Sequence, residues 1–391
     1  MQRMDEITAH RRVSEAVARI RSTDEATLCD QIELSEIPAP PFGESMRAQA
    51  MAKRLGKAGL SNIRSDAVGN VLAERNGSTD DAPLVLTAHL DTVFPEGTDV
   101  SVTRKRDTLS GPGISDNARG LAALLSVARA LESCGITTQA SLLFVATVGE
   151  EGSGDLRGVK HLFSADGAAV GAGGFISLDG AGLNRIVVRG LGSRRYRITI
   201  SGAGGHSWLD WGAPNPIHHL TELGRRLTEI GLEVEPQSTL TIARIGGGKS
   251  INAIPQEAWL EIDTRCTDAD VLERLGDHIT HIANEVAAAE PALSVSRTVI
   301  GDRPGGITDP RARLARAAID ATRAIHRNPI LALSSTDANV PMAAGVPAIT
   351  IGCGGEAGLA HTTDEWYRNV HGPEGVIRAL YTVLAAAGVT N

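Results

Sequence analysis

Seven residues stand out by chemical type and by place: His89, Asp91, Asp116, Glu150, Glu151, Asp179 and His361. Leu84-Val-Leu-Thr-Ala runs into His89. Ser141-Leu-Leu-Phe-Val-Ala-Thr-Val148 precedes Glu150-Glu151, and Gly174-Phe-Ile-Ser-Leu runs into Asp179. Each run reads as a buried strand, and a charged residue closing such a run is placed for chemistry and not for packing. In an open α/β sheet, ligands collect outside the carboxyl ends of the strands. Two imidazoles and three carboxylates suit a pair of divalent ions with one carboxylate shared. Singly, each residue has an ordinary reading: a structural histidine after a strand, a solvated turn at Glu150-Glu151, or a helix cap at Asp116-Asn117 ahead of Leu121–Leu131. Their coincidence at strand ends and adjoining turns, in a chain with 11 His, favours the joint metal site.

The elements that would position these residues follow from the apolar pattern. Residues 10 to 36 and 44 to 60 read as helices separated by Pro38-Ala-Pro-Pro41. Strands and helices then alternate up to Asp179, which predicts βαβ units and a mostly parallel sheet flanked by helices, an α/β fold. From Asn184 the texture changes. Arg185-Ile-Val-Val-Arg alternates in strand fashion. From Arg195 the order reads strand, helix, strand, strand, helix, strand, a two-layer α+β unit. After residue 304 the helix–strand–helix texture returns and carries His361. The expected organisation is a catalytic domain split into 1–184 and 305–391, with residues 185–304 inserted.

Composition narrows the class. A chain of 391 residues is expected to form two domains. A hydrophobic content of 42% is that of a globular protein. With a net charge of −8 and no basic block, nucleic acid is not an expected partner. The start lacks a secretory apolar segment, and no run of apolar residues is long enough for a membrane span. Cys29, Cys134, Cys266 and Cys353 are widely spaced without a CxxC pair, which reads as buried free thiols in a cytoplasmic, reducing compartment.

The strings His89-Leu-Asp91-Thr-Val, Gly111-Pro-Gly-Ile-Ser-Asp116-Asn and Glu150-Glu151-Gly resemble the di-zinc peptidase family of peptidase T, aminoacylase, glutamate carboxypeptidase and succinyl-diaminopimelate desuccinylase. Gly204-Gly-His206-Ser, Asn252-Ala-Ile-Pro255 and Asp263-Thr-Arg265 resemble that family's inserted dimerisation, or lid, domain. The resemblance implies two divalent ions per chain, zinc first, with manganese or cobalt as alternatives. It implies His89, Asp116, Glu151, Asp179 and His361 as ligands, with Asp116 bridging. It also makes Glu150 the general acid/base and Asp91 the residue that orients His89. Physical chemistry is consistent with this. A metal-bound imidazole usually gives its other N–H to a carboxylate. Of two adjacent glutamates, one can ligate while the other faces the attacking water and moves its proton.

The same resemblance makes His206 an oxyanion donor from the other subunit of a homodimer. It places Asn252 and Arg265 on the substrate, and Gly352-Cys-Gly-Gly355, with Gly354, on the cleft wall, where backbone could hold a carboxylate. The ordinary alternatives are a turn histidine at His206 and a salt bridge with Asp263 at Arg265. His218 and His219 read as helix packing or capping residues. Trp208-Leu-Asp-Trp211 departs from the family, which often has a small residue and a Pro there. It reads as an aromatic wall or as plain packing. Asp179 stands where deacylases more often have Glu, which resembles the peptidase T and dipeptidase branch. The expected function is hydrolysis of short peptides, with a small molecule or short peptide as partner. The alternatives are hydrolysis of a non-peptide C–N bond, in an N-acyl amino acid or an aromatic amide or amine, and a non-catalytic metal-binding protein. Glu150, which a scaffold would not need, speaks against the last.

Overall fold

The structure is a computed structural model that describes residues 2–390. It divides into two compact units, one running to Gly190 and resuming at Ile307, the other Leu191–Gly306.

The first unit is organised by a nine-stranded mixed sheet. Its centre is parallel: Leu142–Thr147, Leu84–His89, Gly174–Leu178 and Ala348–Ile351 lie side by side. Val71–Arg75 joins antiparallel at one flank. The central strands are buried along their length, as parallel strands covered on both faces must be. Successive side chains point to opposite faces. Leu84, Leu86, Leu142 and Phe144 therefore enter one core with the helices Arg11–Ser22, Ala118–Ser133, Arg313–Ala324 and Gly372–Ala387. Val85, Leu143, Val145 and Phe175 enter a second core with Arg157–Leu162 and Asn339–Ala343. Each such aliphatic side chain stabilises the fold by roughly 1.5–3 kcal/mol.

Two expected boundaries move. Arg185–Gly190, read as the start of the insert, pairs with Ile330–Ser334 and Ala348–Ile351, and its Ile186 and Val188 are buried in the first unit's core. The expected helix 10–36 is two helices, Arg11–Ser22 and Asp24–Ser35, parted at Thr23. Asp24 and Glu25 favour a new helix start because carboxylates suit the positive end of the helix dipole. The next helix is Ser45–Lys57.

A second, small antiparallel sheet belongs to the first unit and was not foreseen. It orders Glu356–Gly358, Trp366–Arg368, Thr108–Ser110 and Thr103–Lys105. Trp366 lies opposite Ser110 and Tyr367 opposite Leu109, so segments about 250 residues apart are held together.

Leu191–Gly306 has the expected strand and helix order. Its antiparallel sheet runs Ser238–Gly247, Glu257–Cys266, Gly192–Ser201, Ser294–Arg303. Tyr196, Ile198 and Ile200 alternate inward against Leu220 and Leu223 of one helix and Ile279 and Ile282 of the other. Helix Pro216–Thr228 starts at an Asn215 cap, and Ala269–Ala288 at an Asp268 cap. His219 Nδ1–H donates to the Asn215 carbonyl, 3.1 Å away.

All four cysteines are free, but only Cys266 and Cys353 are buried; Cys29 is exposed. Among the described residues no helix is long and apolar enough to cross a membrane.

Candidate metal centre

The main sheet delivers four of the seven residues singled out by sequence. His89 is the last residue of its strand, Glu150 and Glu151 follow Leu142–Thr147, and Asp179 follows Gly174–Leu178. His89 Nδ1 lies 3.0 Å from the backbone carbonyl of Asp91 and 3.7 Å from its carboxylate. A bond to that carbonyl puts the hydrogen on Nδ1 and leaves Nε2 as a lone-pair donor. The Asp91 carboxylate itself accepts the backbone N–H of Glu150 at 2.9 Å and of Glu151 at 2.8 Å. Asp91 thus orients His89 through its main chain and braces both glutamates through its side chain. This is a different division of labour from the one expected.

The small sheet delivers two more, Asp91 following directly on the His89 strand. Asp116 closes the segment after Thr108–Ser110, and His361 sits in the loop between Glu356–Gly358 and Trp366–Arg368. Asn117 caps the helix Ala118–Ser133 through Gly120. It also donates to the Leu178 carbonyl and accepts the Gly180 N–H, on either side of Asp179. One amide therefore ties the Asp116 segment to the Asp179 strand end.

The side chains converge on Asp116. His89 Nε2 is 3.1 Å from its Oδ1 and 3.7 Å from Asp179 Oδ1. His361 Nε2 is 3.2 Å from Asp116 Oδ2 and 3.0 Å from Glu151 Oε1. His89, Asp116 and Glu151 each offer a ligand atom within 4.8 Å of the others. Three carboxylates against two imidazoles leave an excess of negative charge. Burial opposes a proton on His89, yet the close carboxylates of Asp116 and Asp179 outweigh it and push its pKa well above the usual value. Hydrogen bonds to Asp116 and Glu151 carry His361 to about 10. Asp116, which burial would raise, is instead held far below the usual carboxylate range by His361 and His89. His89 Nε2 and Asp116 Oδ1 are buried and lack a hydrogen-bond partner. Buried electron-pair donors converging without donors to match are what a cation site requires, and the residues fit a pair of divalent ions.

His206, Trp208, Trp211, Asn252 and Arg265 belong to the second unit. In Leu191–Gly306, His206 is exposed and its backbone N–H is held by Asp210 at 2.7 Å. Its Nδ1 accepts the N–H groups of Trp208 and Leu209 at 3.2 and 3.4 Å, so the neutral ring carries its hydrogen on Nε2. Trp208 and Trp211 are 82% and 87% exposed, which removes plain packing as their reason within the chain. Asn252 is exposed and accepts from Ser250 Oγ. Arg265 makes the ion pair with Asp263 that was its ordinary alternative, at 2.7 Å. Gly354, in the first unit, is buried and its N–H donates to the Gly182 carbonyl at 3.0 Å. A side chain there would strike the Gly372 carbonyl, and one at Gly355 the Tyr367 ring. These glycines serve close packing.

Three buried charges surround the centre; sequence reasoning missed Arg47 and Glu365, whereas Asp337 lies in Ser335-Thr-Asp337-Ala-Asn339, which resembles a family loop lining the same cleft. Arg47 donates to the Leu90 carbonyl at 2.6 Å and to the carbonyls of Ser35 and Ile37, fixing the chain between His89 and Asp91. Asp337 accepts from Thr147 Oγ1 at 2.6 Å, beside His89 in the strand register. Glu365 accepts three N–H groups of the Asp116 segment. Burial pushes its carboxyl to about 7 against the pull of those bonds. Its only sequence signal is an acidic residue following Thr-Thr-Asp in the His361 loop, which is not distinctive.

Known proteins resemble this chain along most of its length. The uncharacterized protein YqjE of Bacillus subtilis is 24% identical over 349 residues, 85% of this chain and 91% of that one. The cytosol non-specific dipeptidase of Escherichia coli is 25% identical over 291 residues, 67% of this chain and 58% of its own. A succinyl-diaminopimelate desuccinylase of Gluconacetobacter diazotrophicus is 30% identical over 208 residues, 50% of this chain and 54% of its own. For these two the chain spans little more than half of the relative's length. The fold matches the aminopeptidase PepT of Bacillus cereus with a TM-score of 0.72 at 21% identity, covering 93% of this chain and 97% of that one. It also matches a Bacillus subtilis protein described as a dinuclear metal binding peptidase from the M20 family, with a TM-score of 0.67 at 16% identity, covering 94% and 98%. The model of peptidase family M20/M25/M40 matches residues 85–387, a span that holds every member of the cluster, and the chain belongs to that family.

Proposed function

We propose that this protein is a metal-dependent hydrolase that cleaves peptide bonds of short peptides. The observation that carries the reading is the shared carboxylate: Asp116 meets His89 on one oxygen and His361 on the other. His89, Asp116 and Asp179 would hold one ion, and His361, Asp116 and Glu151 the other. Two ions bound there would supply Lewis acidity toward a substrate carbonyl and a water. Glu150 takes the proton of the attacking water and returns it to the leaving nitrogen. Its backbone N–H is held by the Asp91 carboxylate. Zinc is the first candidate, with manganese or cobalt accepted by the same donor set.

The chain acts as a homodimer through Leu191–Gly306. The edge strand Ser238–Gly247 is largely exposed, with Ile245 62% exposed, and a two-fold partner would cover it. His206 of one subunit then presents Nε2–H to the developing oxyanion in the other. Asn252 and Arg265 contact the substrate, Arg265 keeping Asp263 as its counter-ion, and Trp208 walls the cleft. A cytoplasmic location fits four thiols that all stay free. The dipeptidase and aminopeptidase among the proteins it resembles support the peptide substrate. The desuccinylase and the exposed Trp208 and Trp211 favour, as a second reading, an N-acyl or aromatic C–N bond.

Metal analysis at saturation, combined with assays on peptides, N-acyl amino acids and aromatic amides, tests the proposal. Two ions per chain and turnover of di- or tripeptides are expected. One ion at saturation, or turnover of N-acyl compounds alone, overturns the corresponding part. His206→Ala should keep both ions and lose kcat by roughly 10²–10³, the effect of deleting one oxyanion donor.

A further inference from the structure

Glu365 is fully buried and lies four residues beyond His361. One carboxylate oxygen accepts the N–H groups of Ser115 and Asp116 at 2.8 and 2.9 Å, and the other accepts that of Gly113 at 3.1 Å. Its backbone carbonyl accepts the Gly111 N–H at 2.9 Å, and its own N–H donates to the Thr362 carbonyl at 3.2 Å. Its neighbour Trp366 pairs with Ser110. The residue therefore stands where two irregular segments cross: Gly111–Asp116, which ends in the shared carboxylate, and the loop that carries His361.

The chemical type matters here. Three N–H groups point at one buried spot. A carboxylate can accept all of them and has no hydrogen to misplace. An amide would turn its NH₂ against at least one donor, and a buried donor left unpaired costs about 1–3 kcal/mol. His361 also needs holding. Its backbone sits at φ +67, in the left-handed region that a non-glycine residue adopts only when its surroundings impose it.

We propose that Glu365 is a positioning residue that locks the Asp116 segment to the His361 loop and so presets the distance between the bridging carboxylate and its second histidine. This rests on the metal-hydrolase reading above. It assigns Glu365 no contact with substrate or ion. Its effect passes through the backbone of Asp116 and the loop of His361.

The test uses the full-length protein and Glu365→Gln, at a pH of about 8. Cation affinity is measured by competition with a chelator, cobalt-loaded protein is read by its visible absorption, and kcat and KM are taken at saturating metal. The variant should fold, bind the cation pair roughly 10–100-fold more weakly, the usual cost of losing an outer partner of a ligand, and show an altered cobalt spectrum. Its kcat should fall more than its KM rises. Hydrogen exchange across residues 111–117 of the metal-free parent needs no variant, and the amides of Gly113, Ser115 and Asp116 should be protected. A folded variant with parental affinity and spectrum overturns the proposal. So does open-loop exchange of those amides in the parent, which remains decisive if the variant does not fold. A parent that binds fewer than two ions or turns over no C–N substrate refutes the functional reading. The clamp is then still judged by exchange and by affinity for whatever cation binds at Asp116.

Discussion

His89 and His361 both aim Nε2 at Asp116, at 3.1 and 3.2 Å, but they stand on different ground. His89 closes a strand in the middle of the sheet and its side chain is 1% exposed. Its neighbours in the centre, Asp91, Glu150 and Glu151, are buried too. His361 lies in a loop with a left-handed backbone and its side chain is 54% exposed. The sheet places the first group as a by-product of burying Leu84, Leu86, Phe144 and Ile176. No such core places the second. There the geometry comes from a few polar anchors, Asn117 and Glu365 among them. Two histidines proposed as ligands can therefore differ in what their loss does: one removes a partner from a buried site, the other only an exposed arm.

The largest expected effect falls within the strand-built group, between neighbours. Glu150→Gln keeps size and polarity but cannot accept a proton. It should bind both ions with parental stability and lose kcat by roughly 10²–10⁴, the share of a general base. Glu151→Gln removes a ligand and should lower metal content as well as turnover. Metal analysis and kinetics on the two variants decide it. If metal content falls in Glu150→Gln and holds in Glu151→Gln, the two roles are exchanged.

The next effect sets the two histidines against each other. His89→Ala and His361→Ala should both weaken cation binding. In the metal-free protein they should part. Without the buried His89, the partly buried Asp116 and Asp179 lose a partner that water replaces only in part, which destabilises by about 1–3 kcal/mol. His361 pairs with Asp116 and Glu151 from an exposed position that solvent can take over, so its loss should cost less. Denaturant unfolding of both metal-free variants measures the gap. Equal losses would mean that the loop is as integral to the fold as the strand.

The same contrast explains what the sequence reveals. A buried parallel strand announces itself as an apolar run, so the residue that ends it is easy to find; His89, Glu150 and Asp179 needed little more. Arg185–Gly190 looked like part of the insert because its pattern of alternation is that of any strand. Only its pairing with Ala348–Ile351, far along the chain, assigns it to the main sheet. The small sheet is harder. Its strands are three residues long, Thr103–Lys105 is exposed throughout, and Trp366–Arg368 finds Thr108–Ser110 across the length of the chain. Asp116 and His361 lie outside such runs and depend on motif resemblance for their roles; Asp337 sits in Ser335-Thr-Asp337-Ala-Asn339, which resembles a family loop of the same cleft, whereas Glu365, which acts on neighbours distant in sequence, carries no local pattern.

The smallest effect concerns how dry the strand-built group is. Asp337 is 1% exposed and sits beneath it. One oxygen accepts from Thr147, the residue paired with His89, and the other has no hydrogen-bond partner among the described residues. Burial pushes this carboxyl from 3.8 to about 6, helped by the charges of Asp91 and Asp179 and opposed by Thr147 and His89. The folded state therefore holds this proton more tightly than the unfolded chain. Between about pH 4 and pH 6 the folded protein binds more protons through this group, so its contribution to stability falls as pH rises through that window and stays low above it. Asp337→Asn cannot ionise. Whatever the amide costs at pH 4, the variant should gain on the parent as pH rises to 6, and the difference should then level off. The comparison belongs to metal-free protein, since cations among Asp91, Asp116 and Asp179 would offset the charges that raise Asp337. A difference between variant and parent that does not change from pH 4 to 7 would show that water reaches Asp337, and the strand-built group would then be no drier than the loop.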